Sequence, residues 1–490
     1  MVLFFPIILP VAFMIILIIG RKSLIFQQVF TLLASVLLVV VAAYLLFFVN
    51  ANGIQSVQTG SWPAPYGITV VIDLFSALML VAVAFVSLIA SIFSPGFIDK
   101  ERQLAGFYPL LFGLMMGVNG ALITGDIFNM YVWYEVMLTS SFVLIALGGS
   151  SEQLQGSVKY VAINFVASIF FVSAIGIIYG ITGTLNMADL ANKLRTSEAI
   201  PFINAPLMLF FIAFSIKAAL FPFFFWLPAS YHTPPIAITA LFAGTLTKVG
   251  IYTMFRFYSL FVVYDTGFWK LFLLVLAGLT MLIGVLMAAS QNDIRKILSF
   301  HIISQVGYMV MGLGIFTKTA IAGAIYFMLH NILSKTNAFL AGGLVYQGSK
   351  SYNLGILGGL YKSKPLIALL FFIPALSLAG IPPLPGFFGK FLLIKGGFEA
   401  QDYFITALAI LVGFFTLFSM IKIWNEVYWK KQPENVEPGT IGKGPIAATI
   451  LMTIGVIALG LLAGPVSAIA LEAANQIVSP ELYINAVLGN

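Results

Sequence analysis

Two stretches decide how this chain is built: IAFSIKAALFPFFFWLP at residues 212–228 and IPALSLAGIPPLPGFFGKFLL at residues 373–393. Each lies in an apolar run long enough to cross a bilayer, is interrupted by proline, and carries one lysine, Lys217 or Lys390. Proline removes a backbone donor and clashes with the preceding turn, so neither stretch is expected to be one continuous helix. In a membrane the backbone groups freed at a break must find protein or water partners. Broken helices in matching halves of a chain point to an inverted-repeat transporter with its site near the breaks.

The rest of the chain fits that setting. It is 490 residues long, 61% hydrophobic and only 8% charged, against about 25% charged residues in a soluble domain, so it is read as an all-α polytopic membrane protein. At about 20 apolar residues per span, about fourteen transmembrane helices are predicted. They fall at 2–20, 28–49, 68–94, 104–123, 127–148, 157–181, 203–228, 236–258, 268–290, 296–315, 320–346, 365–396, 403–424 and 446–470, and helices 7 and 12 are the broken ones. The apolar N-terminus is followed, not preceded, by Arg21 and Lys22, so it reads as a retained first span. Residues 471–490 are too short and polar to cross and are expected at the interface. The absence of cysteine excludes cysteine-ligated clusters, thiol catalysis and disulfides. The net charge of +7 is scattered over short loops, which is a topology signal and gives no reason to expect nucleic acid. Lysine and arginine concentrate in the loops on one side, and Lys193, Arg195, Arg256, Lys270, Lys318 and Lys395 make up the sparser set. The positive-inside rule then puts both termini on the outer side of the cell (plasma) membrane. The loop clusters at 99–102, 193–198 and 430–437 read as solvated surface.

The two halves align. Residues 210–222 lie over 371–383, an offset of 161, and GDIFNMYVWYE (125–135) lies over NDIRKILSFHI (292–302), an offset of 167. Two inverted five-helix repeats follow: 104–258 holds helices 4–8 and 268–424 holds helices 9–13. They are preceded by N-terminal helices 1–3 (1–103) and followed by helix 14 and the tail (446–490). Asp126 and Asp293 then both start a helix, where a negative charge suits the dipole.

Glu135, Lys217, Lys248, Lys335 and Lys390 lie inside predicted spans. Left unpaired, five such charges would cost roughly 12–17 kcal/mol on insertion scales, comparable with the net stability of a whole domain. They must be paired, hydrated or neutral, and an ion path is the default reading. Glu135 is the one acid deep in a span, with Tyr131 and Thr139 on its face. Lys248 shares a face with Thr245 and Tyr252. His330, Ser334 and Asn337 form a polar stripe beside Asn331 and Lys335, and His301 heads another with Ser304, Gln305 and Tyr308. Imidazoles can relay protons near neutrality, and hydrogen bonding between helices is the alternative role for both histidines. His232 is placed in a loop and Asp73 reads as a helix-start anchor. Phosphate loops, nucleophile elbows and metal-ligand clusters are absent, so no cofactor and no metal site is expected.

WYEVMLTSSFVLIALG (133–148), SIKAALFPFFFWLPASYHTPP (215–235), TLTKVGIY (245–252), SQVGYMVMGLG (304–314), HNILSKTNAFLAGG (330–343) and LAGIPPLPGFFGKF (378–391) resemble the proton-conducting, antiporter-like membrane subunits. These occur in respiratory complex I and in Mrp-type cation/proton antiporters, and within the family the chain looks most like the D-type Mrp subunits. The likeness covers roughly residues 73–424. It implies fourteen helices in two inverted repeats, a secondary transporter and not an enzyme, and partnership with the other subunits of a multi-subunit cation/proton antiporter exchanging protons for a monovalent cation such as Na+. It also implies that Glu135 and Lys217 are the coupling pair, Lys248 the central relay and Lys390 the far exchange residue. His330, Lys335 and His301 join them as candidate proton-transfer groups. The family pattern places a histidine four residues before the eleventh-span lysine; here Asn331 holds that position and the histidine stands at 330. The same residues would equally serve a proton-pumping subunit of a redox complex such as complex I or a membrane-bound hydrogenase. One buried acid is too few to assign a sodium site in this chain.

Overall fold

The computed structural model describes residues 2–196, 202–431 and 439–489; Glu198, Glu434 and Glu437 of the two loop clusters lie outside them. The N-terminal part comprises α1 (Phe5–Ile19), α2 (Leu24–Asn52) and α3 (Leu74–Phe93). There follow α4 (Tyr108–Ile123), α5 (Ile127–Ala146), α6 (Ser151–Thr182), a short surface helix α7 (Met187–Thr196), the broken pair α8 (Asn204–Ala218) and α9 (Trp226–Tyr231), and α10 (Ile236–Phe261). The same pattern returns as α11 (Thr266–Ser290), α12 (Ile294–Ile315), α13 (Lys318–Ser349), the broken pair α14 (Pro365–Ala379) and α15 (Pro385–Glu399), and α16 (Tyr403–Trp424). The chain closes with α17 (Lys443–Leu461), α18 (Ala463–Val478) and α19 (Pro480–Leu488).

Each predicted segment overlaps a helix or a broken pair; the third begins in a strand and the last runs from α17 into α18. Among the described residues ten helices are by themselves long and apolar enough to cross a membrane. Helices α5 and α13 are as long but less apolar, because they carry Glu135 and the polar residues around Lys335. The last predicted span is too long at its C-terminal end. The helix stops at Leu461, and α18 leaves at a new angle to pack on α13 and α3. The tail is anchored through Gln476, whose Oε1 accepts from the Leu74 amide at 3.0 Å. A two-stranded antiparallel ribbon, Gln55–Gln58 against Thr69–Ile72, links α2 to α3 and is absent from the sequence-based expectation.

The repeat is visible in local chemistry. Asp126 Oδ1 accepts from the Asn129 amide at 2.7 Å and Asp293 Oδ1 from the Arg295 amide at 2.9 Å, so each carboxylate caps its helix. Asp126 also bridges to Asn186, and Asp293 to Asn353, both at the offset of 167. Helices α6 and α13 are each 32 residues long at that offset and end on left-handed residues, Gly183 and Lys350. A unit with an odd number of crossings returns upside down when used twice, which gives the inverted relation.

The breaks match as well. The chain leaves α8 through Ala219 at φ 59° and leaves α14 through Gly380 at φ 93°, an offset of 161. The Leu220 amide then donates to Ser215 O at 2.9 Å and the Ile381 amide to Leu376 O at 3.1 Å, the same closing bond in each. The helices end at these left-handed turns, ahead of Pro222 and of the Pro382–Pro383 pair.

Burial sorts the helices. The window of α1 that could cross a membrane is 28% buried, against 100% for α10 and α12. Helices α10, α12 and α13 are the centre of the bundle, and α3, which looks featureless in sequence, is their buried support. Gly386 keeps the second break closed: a Cβ there would lie 1.8 Å from Ser377 O and 3.0 Å from the His330 ring. Gly386→Ala is expected to lower the melting temperature of the purified protein by an overpacking cost of about 1–3 kcal/mol. Gly464→Ala, where a Cβ meets nothing within 4 Å, is expected to leave it unchanged.

Candidate functional site

Four of the predicted charged residues, Lys217, Lys248, Lys335 and Lys390, are buried in the bundle, and Glu135 is half-buried. Glu135 is half-buried on the flank of α5, and its Oε1 accepts a short hydrogen bond from Ser168 Oγ of α6. Lys217, in the last turn of α8, is 5% exposed and its Nζ has no hydrogen-bond partner. It lies 5.6 Å from the centroid of the Tyr134 ring, a cation–π contact. No ion pair within 4.0 Å joins Lys217 to Glu135, so the predicted pair is separated in this conformation.

Gly250 carries α8 onto α10. A Cβ at this position would come within 2.9 Å of the Ala218 backbone nitrogen, so only glycine allows the approach. Two residues earlier Lys248 is fully buried and donates to Ala243 O of its own helix. Lys335 comes next, with Nζ 3.5 Å from Leu298 O. His330 stands a turn further along α13: its Nδ1 is 3.0 Å from Ser334 Oγ and 3.2 Å from Ser377 Oγ, and its Nε2 is buried without a partner.

Lys390 is the last of the four lysines. Its Nζ donates to Leu378 O and Ala379 O, both at 3.0 Å, at the negative C-terminal end of α14. The Tyr308 ring lies 5.2 Å away. His301 Nε2 meets Ser419 Oγ at 2.5 Å while its Nδ1 is free. This pair is the repeat counterpart of Tyr134 and Thr253, whose oxygens are 2.7 Å apart. Gln305 and Asn331 are buried with both amide atoms unpartnered. Buried polar atoms left open by protein are normally satisfied by ordered water.

The predicted stripes divide. Ser334 joins His330, but Asn337 turns away to Thr453 of α17 at 3.0 Å. Ser304 Oγ goes to Met281 O, which leaves His301 and Gln305 facing the axis. Ser168 and Ser377, each touching a predicted residue, escape sequence reasoning because a serine in an apolar run carries little signal. His232 closes α9, its Nδ1 2.7 Å from Pro228 O. Burial, with Lys296 and Arg295 nearby, holds its imidazole below the usual value, so it stands apart as a neutral group.

A buried ion pair also escapes the sequence. Asp73 caps α3 as expected, with Oδ1 accepting from the Ser76 amide at 2.8 Å, but its Oδ2 lies 2.6 Å from Arg256 Nη2. Charge sorting puts Arg256 in an outer loop; α10 instead continues past it to Phe261, and the residue is 5% exposed. Its guanidinium packs over Tyr252 and over Tyr483 of α19, and Nη2 donates to the Tyr252 hydroxyl at 3.0 Å. The signal available is spacing: Lys248, Tyr252 and Arg256 recur every four residues and share a face.

Fold and site together define a polytopic membrane protein with two matching helix breaks and buried ionisable groups near them. Residues 124–416 match the family described as NADH:quinone oxidoreductase/Mrp antiporter, transmembrane, and the chain belongs to that family. It is 46% identical over 484 residues to the D-type subunit of the Na(+)/H(+) antiporter of Alkalihalophilus pseudofirmus, covering 99% of this chain and 98% of that one. A chain of the Mrp complex from a Dietzia species superposes with a TM-score of 0.94 at 29% identity, covering 99% of each. A chain of the archaeal membrane-bound sulfane sulfur reductase superposes with a TM-score of 0.92 at 26% identity, covering 99% of this chain and 100% of that one.

Removing one member of a buried ion pair leaves an uncompensated charge. Asp73→Asn is therefore expected to cost about 3–5 kcal/mol. Combining it with Arg256→Met should recover most of that loss, as measured by thermal unfolding in detergent.

Proposed function

We propose that this chain is the proton-translocating subunit of a multi-subunit cation/proton antiporter that exports a monovalent cation, sodium first among the candidates. The observation that supports this reading is the burial of Lys217, Lys248, Lys335, His330 and Lys390 in one bundle, with Glu135 half-buried beside them. The identity to a named Na(+)/H(+) antiporter protein over nearly the whole chain supports it. The chain acts as a transporter and not as an enzyme, in the plasma membrane, with both termini outside. Its working units are the two repeats at 104–258 and 268–424, flanked by helices 1–3 and by helix 14 with the tail.

In the mechanism, Glu135 controls the charge on Lys217. With Glu135 bonded to Ser168, Lys217 has no ion-pair or hydrogen-bond partner and can pass its proton on. When the carboxylate approaches, the ammonium form is restored. Protons pass between amines and imidazole, with His301 and the open amides of Gln305 and Asn331 holding the intervening water. The groups titrate as one coupled set. The membrane potential contributes about 2.3 kcal/mol per charge per 100 mV, and inward proton flow expels the cation elsewhere in the complex.

The sulfane sulfur reductase neighbour keeps a second reading alive, in which the same residues pump protons for a redox complex. The subunits that copurify with this chain distinguish the two. Glu135→Ala and Lys217→Ala in an assembled complex are each expected to slow sodium-dependent proton exchange in everted vesicles by about tenfold or more, equivalent to roughly 1.4 kcal/mol. Wild-type exchange in both variants would overturn the proposal.

A further inference from the structure

Two cavities meet at one end of the second repeat, where α14 begins and α16 ends. The first is an apolar groove of about 580 Å³ between these helices, running from Pro365 to Leu376 on one wall and from Leu417 to Trp424 on the other. The second, about 470 Å³, is walled by Lys362, Lys430 and Lys431. Tyr361 and Trp429 line both, so the cavities adjoin.

The dimensions fit one leaflet. Pro365 to Leu376 spans eleven residue rises, about 16 Å at 1.5 Å each, and half of a bilayer's hydrocarbon core is about 15 Å. Aromatic residues gather where headgroups would lie: the Trp424 ring packs on Phe372 at 4.7 Å and on Tyr428 at 4.8 Å. Two donors at this seam have no acceptor. They are the indole Nε1 of Trp424 and the hydroxyl of Tyr428, the latter residue being 1% exposed.

The charges are available. Neighbouring lysines are committed, Lys422 to Ala289 O and Gln291 O, and Lys364 to Gly439 O. Lys430 is shared with Glu426 at 3.0 Å and the Gly355 carbonyl at 3.1 Å. Lys362 and Lys431 are exposed and form no ion pair among the described residues. Basic pockets between spans at this depth suit anionic headgroups.

We propose that this two-part cavity binds one anionic phospholipid, with its headgroup among Lys362, Lys430 and Lys431 and an acyl chain in the groove between α14 and α16. The deep end of the groove stops at Leu376. The next residues along α14 are Ser377, which bonds His330, and Leu378 and Ala379, whose carbonyls hold Lys390. The lipid therefore braces the helix end on which Lys390 rests.

The test uses the intact complex in detergent. After mild delipidation, native mass spectrometry is expected to show phosphatidylglycerol retained over phosphatidylcholine by roughly tenfold or more, and the Lys362→Gln/Lys431→Gln variant should lose that preference. A benzoylphenylalanine photo-crosslinker replacing Leu369 is expected to yield a phospholipid adduct. Equal retention in wild type and variant, or an adduct to another protein of the complex, would overturn the proposal. Both lysines are exposed and outside the proposed proton-transfer groups, so a loss of lipid preference with unchanged assembly separates this site from the transport reading.

Discussion

The ammonium of Lys390 rests on the carbonyls of Leu378 and Ala379, and much of the molecule depends on that contact. A helix that stops inside a membrane leaves carbonyls that neither the helix nor lipid can satisfy. A lysine in the same place has a charge that lipid cannot solvate. Each is costly alone, and together they form a hydrogen-bonded site. The left-handed Gly380 directs α14 away at the required point, and Gly386 lets α15 return closely enough to bring Lys390 under it. Helices α12, α13 and α16 close around the site with Tyr308, His330 and Ser419 turned inward.

The first repeat uses the same backbone differently. Its break has the same left-handed turn and the same closing amide bond, but its lysine lies ahead of the turn and has no hydrogen-bond partner. Lys217 is therefore held without a hydrogen bond and Lys390 by two. The pairing of Tyr134 with Thr253 in one repeat and His301 with Ser419 in the other shows the same division. A phenol occupies the position where the second repeat places an imidazole.

Near the C-terminal end of α10 the opposite solution appears. Asp73 and Arg256 neutralise each other directly, covered by Tyr252 and Tyr483. This ties α3, α10 and the C-terminal tail into one support, on the helix face that also carries Lys248. The single charges thus have as a neighbour a closed pair whose partners have no need to exchange protons.

The amino-acid order by itself determined which segments enter the membrane, roughly where two of them break, and that five charges lie within them. Hydrophobicity, proline chemistry and the cost of buried charge act locally and can be read from a few residues at a time. The repeat was legible for the same reason, since Asp126 and Asp293 cap their helices by contacts with the next three residues. Only the tertiary structure decided how each charge is satisfied. Asp73 and Arg256 are far apart in the chain, Lys217 stands off from Glu135, and Lys248 turns back to its own helix. Those outcomes rest on distances between helices of a few ångströms, set by Gly250, Gly386 and the packing around them, and local spacing does not encode such distances.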